Sequence, residues 1–144
     1  MKREIKFRAW DKFKKEMNYK VLVGNTDIND QNYTCNAILN KESGEWVNAD
    51  DIGIDLMQFT GLIDKNGKEI YEGDILSSEY IRSYFGVEWN NEVSCYDWYV
   101  MTKTKKIGAS LAKSIEDAPK KTDKPFSQII EVIGNIYENP DLLL

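Results

Sequence analysis

The stretch Met57–Leu76, MQFTGLIDKNGKEIYEGDIL, decides the fold, because it sets two kinds of turn chemistry between three strand-like runs. Ile54, Leu56, Met57 and Phe59 form an apolar run too short for a helix and bounded by Gly61, which reads as a strand buried on much of both faces. Asp64-Lys65-Asn66-Gly67 then supplies a hairpin turn, since Asp bonds its own downstream backbone while Asn and Gly tolerate positive φ. Two registers are open: Gly67 closes a type I turn as a bulge residue, or Asn66-Gly67 forms the centre of a type I′ turn. After Ile70 and Tyr71, Glu72-Gly73-Asp74 bends the chain again before Ile75 and Leu76 resume the apolar pattern. The expected arrangement is a β-meander.

Outward from this stretch the strand signals continue. Ile5, Phe7 and Ala9 alternate with Lys6, Arg8 and Trp10, and alternation resumes at Met17, Tyr19, Val21 and Val23, which predicts a first hairpin with a basic turn. Residues 24–36 are rich in Asn and Asp and read as a long loop with a short strand near Tyr33–Ile38. Val87–Trp89 and Val93–Thr102 predict a hairpin turning at Asn90-Asn91. Ile107, Leu111 and Ile115 recur at the spacing of one helix face, with Pro119 ending the pattern and a polar, Lys-rich tract after it. Ile130, Val132 and Ile136 mark a closing strand, with Gly134 as a bulge or close approach and Asn139-Pro140 as the stop.

The opening IKFRAWDK (Ile5–Lys12), the stretch quoted above and the closing EVIGNIYENPDLL (Glu131–Leu143) together resemble the YopX family of phage and prophage proteins. The three blocks are spread along the whole chain in the family's order. The resemblance implies a small, partly open SH3-like β-barrel with an α+β elaboration, and it brings no assigned activity. The expected fold is mainly β, as one domain over residues 1–144. Residues 1–53 form an N-terminal hairpin and loop elaboration, and 54–144 a barrel core with one short helix in an insertion near 105–126.

Composition narrows the function classes. A chain of 144 residues with 42% hydrophobic content builds a core without disulfides or metal. Cys35 and Cys95 lie far apart without CxxC spacing, which excludes a zinc ribbon or dithiol motif and predicts two buried, reduced thiols. No stretch approaches a membrane span, and the charged start MKREIKFRAW lacks a signal core, so the expected location is the cytoplasm. The chain has no histidine, so a Ser-His-Asp or Cys-His arrangement is excluded and catalytic residues are not expected. Asp50, Asp51 and Asp55 are close enough in sequence to suggest a divalent cation site, but acidic residues at a strand entrance usually cap turns or face solvent. An EF-hand starting at Asp27 fails, with Asn32 and Ile38 where Gly and Glu are required. No glycine-rich phosphate loop occurs. Neither metal nor cofactor nor small-molecule ligand is expected.

Binding remains. The net charge of −5 is segregated: residues 1–20 carry eight basic and three acidic residues, 21–102 four and fifteen, and 103–124 seven and three. Arg8, Trp10, Lys12, Lys14 and Lys15 on the first hairpin are the candidate binding residues, basic groups for phosphates and aromatics for stacking, and Lys103–Lys124 would extend that patch if the fold brought it near. Against nucleic acid stands a pI near 4.9. Four tryptophans and eight tyrosines favour a protein partner or a homo-oligomer, each Trp singly reading as core. The acidic middle segment also admits mimicry of nucleic-acid phosphates. The expectation is a non-enzymatic phage or prophage accessory protein acting through protein contacts or self-association, with a nucleic-acid-binding barrel as the alternative.

Overall fold

The computed structural model describes residues 2, 4–24, 35–48, 53–101 and 106–144, with backbone alone at 35 and 36. The expected Asp27 loop, Asp50, Asp51, Lys103 and Lys105 lie outside the described residues. Contacts divide the chain into two compact units, Met1–Gln58 and Phe59–Leu144. The first holds β1 (Phe7–Asp11), β2 (Glu16–Asn18), β3 (Val21–Gly24), β4 (Cys35–Leu39) and β5 (Trp46–Asn48). β6 (Ile54–Ile63) runs from the first unit into the second. There follow β7 (Glu69–Tyr71), β8 (Asp74–Ser78), β9 (Ile81–Asn90), β10 (Cys95–Met101), β11 (Lys106–Ser110), α1 (Leu111–Thr122) and β12 (Ile130–Asn135). The architecture is mainly β, as expected.

In the first unit β1 is central, antiparallel to β2 on one side (Trp10↔Met17) and to β6 on the other (Trp10↔Asp55). A central strand has both faces available for packing, and Ala9, Trp10, Met17 and Met57 are all buried. The chain then turns away to form an antiparallel sheet in the order β3-β4-β5. Asn18 joins the two pieces, its Nδ2 donating to the Leu39 carbonyl at 2.9 Å and its Oδ1 accepting from the Lys20 N–H at 2.8 Å. Both of its amide groups are used, which is what a residue only 3% exposed requires.

The second unit is built on a five-stranded antiparallel sheet, ordered β11-β10-β9-β8-β12, that curls as a half-barrel. Its inner face carries Leu76, Phe85, Val87 and Val132, on which α1 and a 3₁₀ turn at Phe126–Gln128 set Leu111, Ala118, Phe126 and Ile129. Phe85, fully buried, meets Trp98 edge to face with ring centroids 5.5 Å apart. Burying such a ring stabilises the fold by about 2 kcal/mol. Gly134 does sit at a bulge, where the pairing of β12 with β8 shifts between Val132 and Gly134.

The deciding stretch resolves in favour of the bulged register. The Gly67 N–H donates to the Asp64 carbonyl at 3.0 Å, the Asp64 N–H to the Lys68 carbonyl at 2.8 Å, and Gly67 has φ +80°, the signature of a type I turn closed by a glycine bulge. The turn also grips the closing strand. Asp64 Oδ2 accepts from the Val132 N–H, the Lys65 N–H donates to the Ile130 carbonyl at 3.0 Å, and Lys65 pairs with Glu131 at 2.6 Å. Gly61 does not end β6 but lies within it at φ +89°, where the pairing with β7 shifts.

The meander expectation is corrected. β7 pairs with β6, but β8 takes β9 and β12 as neighbours and makes no pairing with β7 among the described residues. The reason lies at Glu72-Gly73, where the chain is captured from both sides: the Gly73 N–H donates to the Val87 carbonyl and its carbonyl accepts from the Ile136 N–H, each at 2.8 Å. The helix is corrected too. Ile107 belongs to β11, and Pro119 lies inside α1 in place of ending it. Pro119 sits near the C-terminal end, and the Asp123 N–H closes the helix on its carbonyl at 3.2 Å with Asp123 at φ +59°. Lys120 and Lys121 are accordingly the last helical turn, where cations oppose the helix dipole favourably.

Candidate interaction surface

The first-hairpin turn is organised by Asp11. Its Oδ1 accepts from the N–H groups of Phe13 at 2.9 Å and Lys14 at 2.8 Å, and the Lys15 N–H returns to the Asp11 carbonyl at 2.9 Å. A carboxylate that is 5% exposed thus anchors the turn from beneath. Phe13 is left standing 88% exposed at the tip. A ring held out of the core forgoes roughly 2 kcal/mol of burial, so its position is a cost to the isolated chain.

The structure separates the five residues expected to share this surface. Arg8 and Trp10 are 3% and 7% exposed, within the packed centre of β1, which corrects the reading of them as contact groups. Lys12, Lys14 and Lys15 do come together on the turn. Lys12 Nζ is 2.7 Å from Asp55 Oδ1 and Lys14 Nζ 3.9 Å from Glu42 Oε1, so carboxylates already hold two of the three cations. Asp55 is thereby a lysine partner, and among the described residues no group of His, Cys, Asp or Glu is arranged to hold a metal.

A second surface, unmarked by the sequence reading, lies on the β3-β4-β5 sheet. Register places Leu22 beside Ala37 and Asn48, and Leu39 beside Trp46, and strand alternation puts these residues on one face. Leu22 is 53% and Trp46 48% exposed. Leu39 also lines a cleft of about 350 Å³ with Phe13, Lys14, Ile38, Lys41 and Val47. The signal was present in Val21-Leu22-Val23: an unbroken apolar run in a strand must send one side chain outward. Trp46 departs from the core reading given to each tryptophan, because it lies on β5, an edge strand of this sheet.

In the second unit the lysines of the 103–124 tract that are described are largely matched by acids. Lys106 pairs with Glu88 and lies 4.1 Å from the centroid of the Tyr99 ring. Lys113 and Lys120 share Glu116 and Asp117, and Lys124 reaches Glu79 at 3.2 Å. Burial pushes the Tyr99 phenol up, with the Glu88 charge adding to it. Burial also pushes the Asp64 carboxyl up, but the N–H donors of Val132, Lys68 and Asn66 together with the Lys68 charge outweigh it and leave the group below its ordinary value. Both shifts come from the packing and hydrogen bonding of the sheet itself. Cys95 is a half-buried free thiol, 3.6 Å from Asp97 Oδ1, and not the fully buried one expected. Trp89, at 40% exposed, likewise departs from the core reading. No helix among the described residues is long and apolar enough to cross a membrane.

Comparison with known proteins bears on the chain as a whole. No curated protein matches it. Among solved structures it is similar to protein EF1440 from Enterococcus faecalis, known from a crystal structure, at 27% identity and a TM-score of 0.65, covering 99% of this chain and 100% of that one. The family described as YopX protein matches residues 6–144, taking in the first hairpin, the Asp64 turn and the closing strand alike. This chain therefore belongs to the YopX family.

Proposed function

We propose that this protein is a non-enzymatic binding module that acts by protein–protein contact, with a partner or with a second copy of itself, through the Leu22–Trp46 face and Phe13. The observation that carries the reading is the exposure of three large apolar side chains on the small first unit, one of them on a turn fixed by a buried carboxylate. Aromatic residues on rigid elements are the usual anchors of interfaces, because they lose little freedom on contact. A role without catalysis accords with a chain lacking histidine. The family resemblance supports a phage or prophage accessory protein acting in the cytoplasm.

Nucleic-acid binding is the second reading, favoured by Phe13 standing among Lys12, Lys14 and Lys15. The ion pairs to Asp55 and Glu42 weigh against it.

The test is sedimentation equilibrium of the native protein and of Phe13→Ser/Trp46→Ser, with parallel affinity capture from infected or lysogenic cells. Concentration-dependent association, or a captured partner, that the double variant loses would support the proposal. A monomer at all concentrations whose captured proteins are the same with and without Phe13 and Trp46 would overturn it.

A further inference from the structure

We propose that the cleft between α1 and the inner face of the five-stranded sheet binds a small aromatic monoanion of the arylcarboxylate class. This site is separate from the protein-contact surface above and lies wholly within the second unit. It measures about 600 Å³, within the usual size range of small-molecule sites.

The cleft exists because α1 turns small side chains toward it. Ser110 caps the helix, and Ser114, Ala118 and Thr122 follow at four-residue intervals, all lining the space. The Ser114 and Thr122 hydroxyls are committed to the helix backbone. Ser114 Oγ donates to the Ser110 carbonyl at 3.1 Å and accepts from Trp98 Nε1 at 2.6 Å, and Thr122 Oγ1 donates to the Ala118 carbonyl at 2.8 Å. With its N–H bonded, the Trp98 indole offers an apolar surface. Phe126, Ile129 and Ala109 extend that floor, while Tyr80 and Ile81, 47% and 36% exposed, stand at the mouth.

Charge on the rim sets the sign of the ligand. Lys113, Asp117 and Lys121 border the cleft. Asp117 Oδ1 is 3.1 Å from Lys113 Nζ and 3.8 Å from Lys120 Nζ, so the acid is already shared between two lysines. Lys121 makes no ion pair within 4.0 Å among the described residues and feels Asp117 only at longer range, so it is the least committed cation of the rim. An apolar, ring-lined cavity with more positive than negative charge on its edge fits a flat ring carrying one negative charge. A neutral polar ligand would find few free hydrogen-bond groups, and a cationic one would meet Lys121.

The experiment uses 1-naphthoate as the anion and 1-naphthalenemethanol as its neutral counterpart, titrated into the ¹⁵N-labelled full chain and followed by amide shifts. Saturable naphthoate shifts confined to residues 78–81, Trp98 with its neighbours, and 109–129 are expected, with the neutral compound about fivefold weaker. Lys121→Glu, an exposed change on the helix surface, should weaken naphthoate by at least about fivefold and leave the neutral compound unchanged. Lys15→Glu, in the other unit, should alter neither. Absence of saturable binding, shifts centred elsewhere, or equal affinity for the two compounds that Lys121→Glu does not disturb would each overturn the proposal.

Discussion

The Asp64 carboxylate accepts the buried backbone N–H of Val132 at 3.0 Å, joining a hairpin turn to a strand 68 residues further along the chain. Its other oxygen takes the N–H groups of Asn66 and Lys68 at 2.8 and 2.9 Å. One side chain therefore shapes the turn and docks it.

Replacing Asp64 with Ala should lower unfolding free energy by about 2–3 kcal/mol, because it leaves the Val132 donor buried and unpaired. Asp64→Asn keeps one acceptor but turns its NH2 toward the remaining N–H donors, so it should cost nearly as much. Urea denaturation followed by tryptophan fluorescence measures both.

The same carboxylate gives a pH signature. Its folded-state value lies below the ordinary 3.8, so the unfolded chain takes up the proton first as acid is added. The stability it contributes is present in full above 3.8 and is lost as pH falls through the lower folded value. Denaturation midpoints across pH 2–5 should fall less steeply in Asp64→Asn than in the native protein, and equal slopes would count against this role.

Gly67 and Gly24 should respond oppositely to alanine. Gly67 sits at φ +80°, where a Cβ is strained, and its replacement should cost about 1–2 kcal/mol although no atom lies within 4 Å of the new group. Gly24 has no positive φ and no atom of the described residues within 4 Å of the new group, so Gly24→Ala should be neutral or slightly stabilising. Thermal melts of the two variants separate conformational strain from crowding.

Tyr99 packs against Gly86, its partner on the neighbouring strand, whose missing Cβ would fall 2.6 Å from its Cζ. Gly86→Ala should lift the ring into solvent and bring the phenol back toward its ordinary value of 10.0. Titration of ¹³Cζ-labelled tyrosine by NMR reads this directly, as a resonance that titrates at lower pH in the variant.

At the first hairpin, charge reversal of Lys12, Lys14 and Lys15 together should change little in DNA or RNA binding, since Asp55 and Glu42 already occupy two of these cations. Native protein titrated at low salt is expected to show no binding that fades with ionic strength. A steep salt dependence that the triple variant abolishes would establish the nucleic-acid reading.

Local chemistry made much of this fold legible. Asp64-Lys65-Asn66-Gly67 announced its turn, Asn90 its hairpin, and Gly134 its bulge, because each depends on its own backbone and immediate neighbours. What stayed hidden depended on the choice of partner strands, one adjacent in the chain and one distant. Ile75 and Leu76 looked like the next rung of a meander, but their partners are Phe85, Gly86, Val132 and Gly134, and nothing in the quoted stretch encodes them. Arg8 and Trp10, candidates for binding by composition, are buried because β1 is flanked on both sides and packs on both faces, which alternation along one strand does not reveal. Pro119 was read as a terminator because position within a helix is not visible until its cap is known. Of the contact surface, the basic turn is visible as composition and the run Val21-Leu22-Val23 marks an outward apolar side chain, while only register joins Leu22 and Trp46 on one face.

The pairing of β12 with β8 has a consequence for how the protein is made. Residues 74–78 leave the ribosome more than fifty residues before their outer neighbour, Ile130–Asn135, exists. Until then, one edge of the nascent sheet presents bare N–H and C=O groups beside Ile75 and Leu76, both of which end fully buried. Such an edge invites pairing with another chain. The yield of correctly folded protein should therefore depend on how quickly the Asp64 turn finds Val132 and closes that edge.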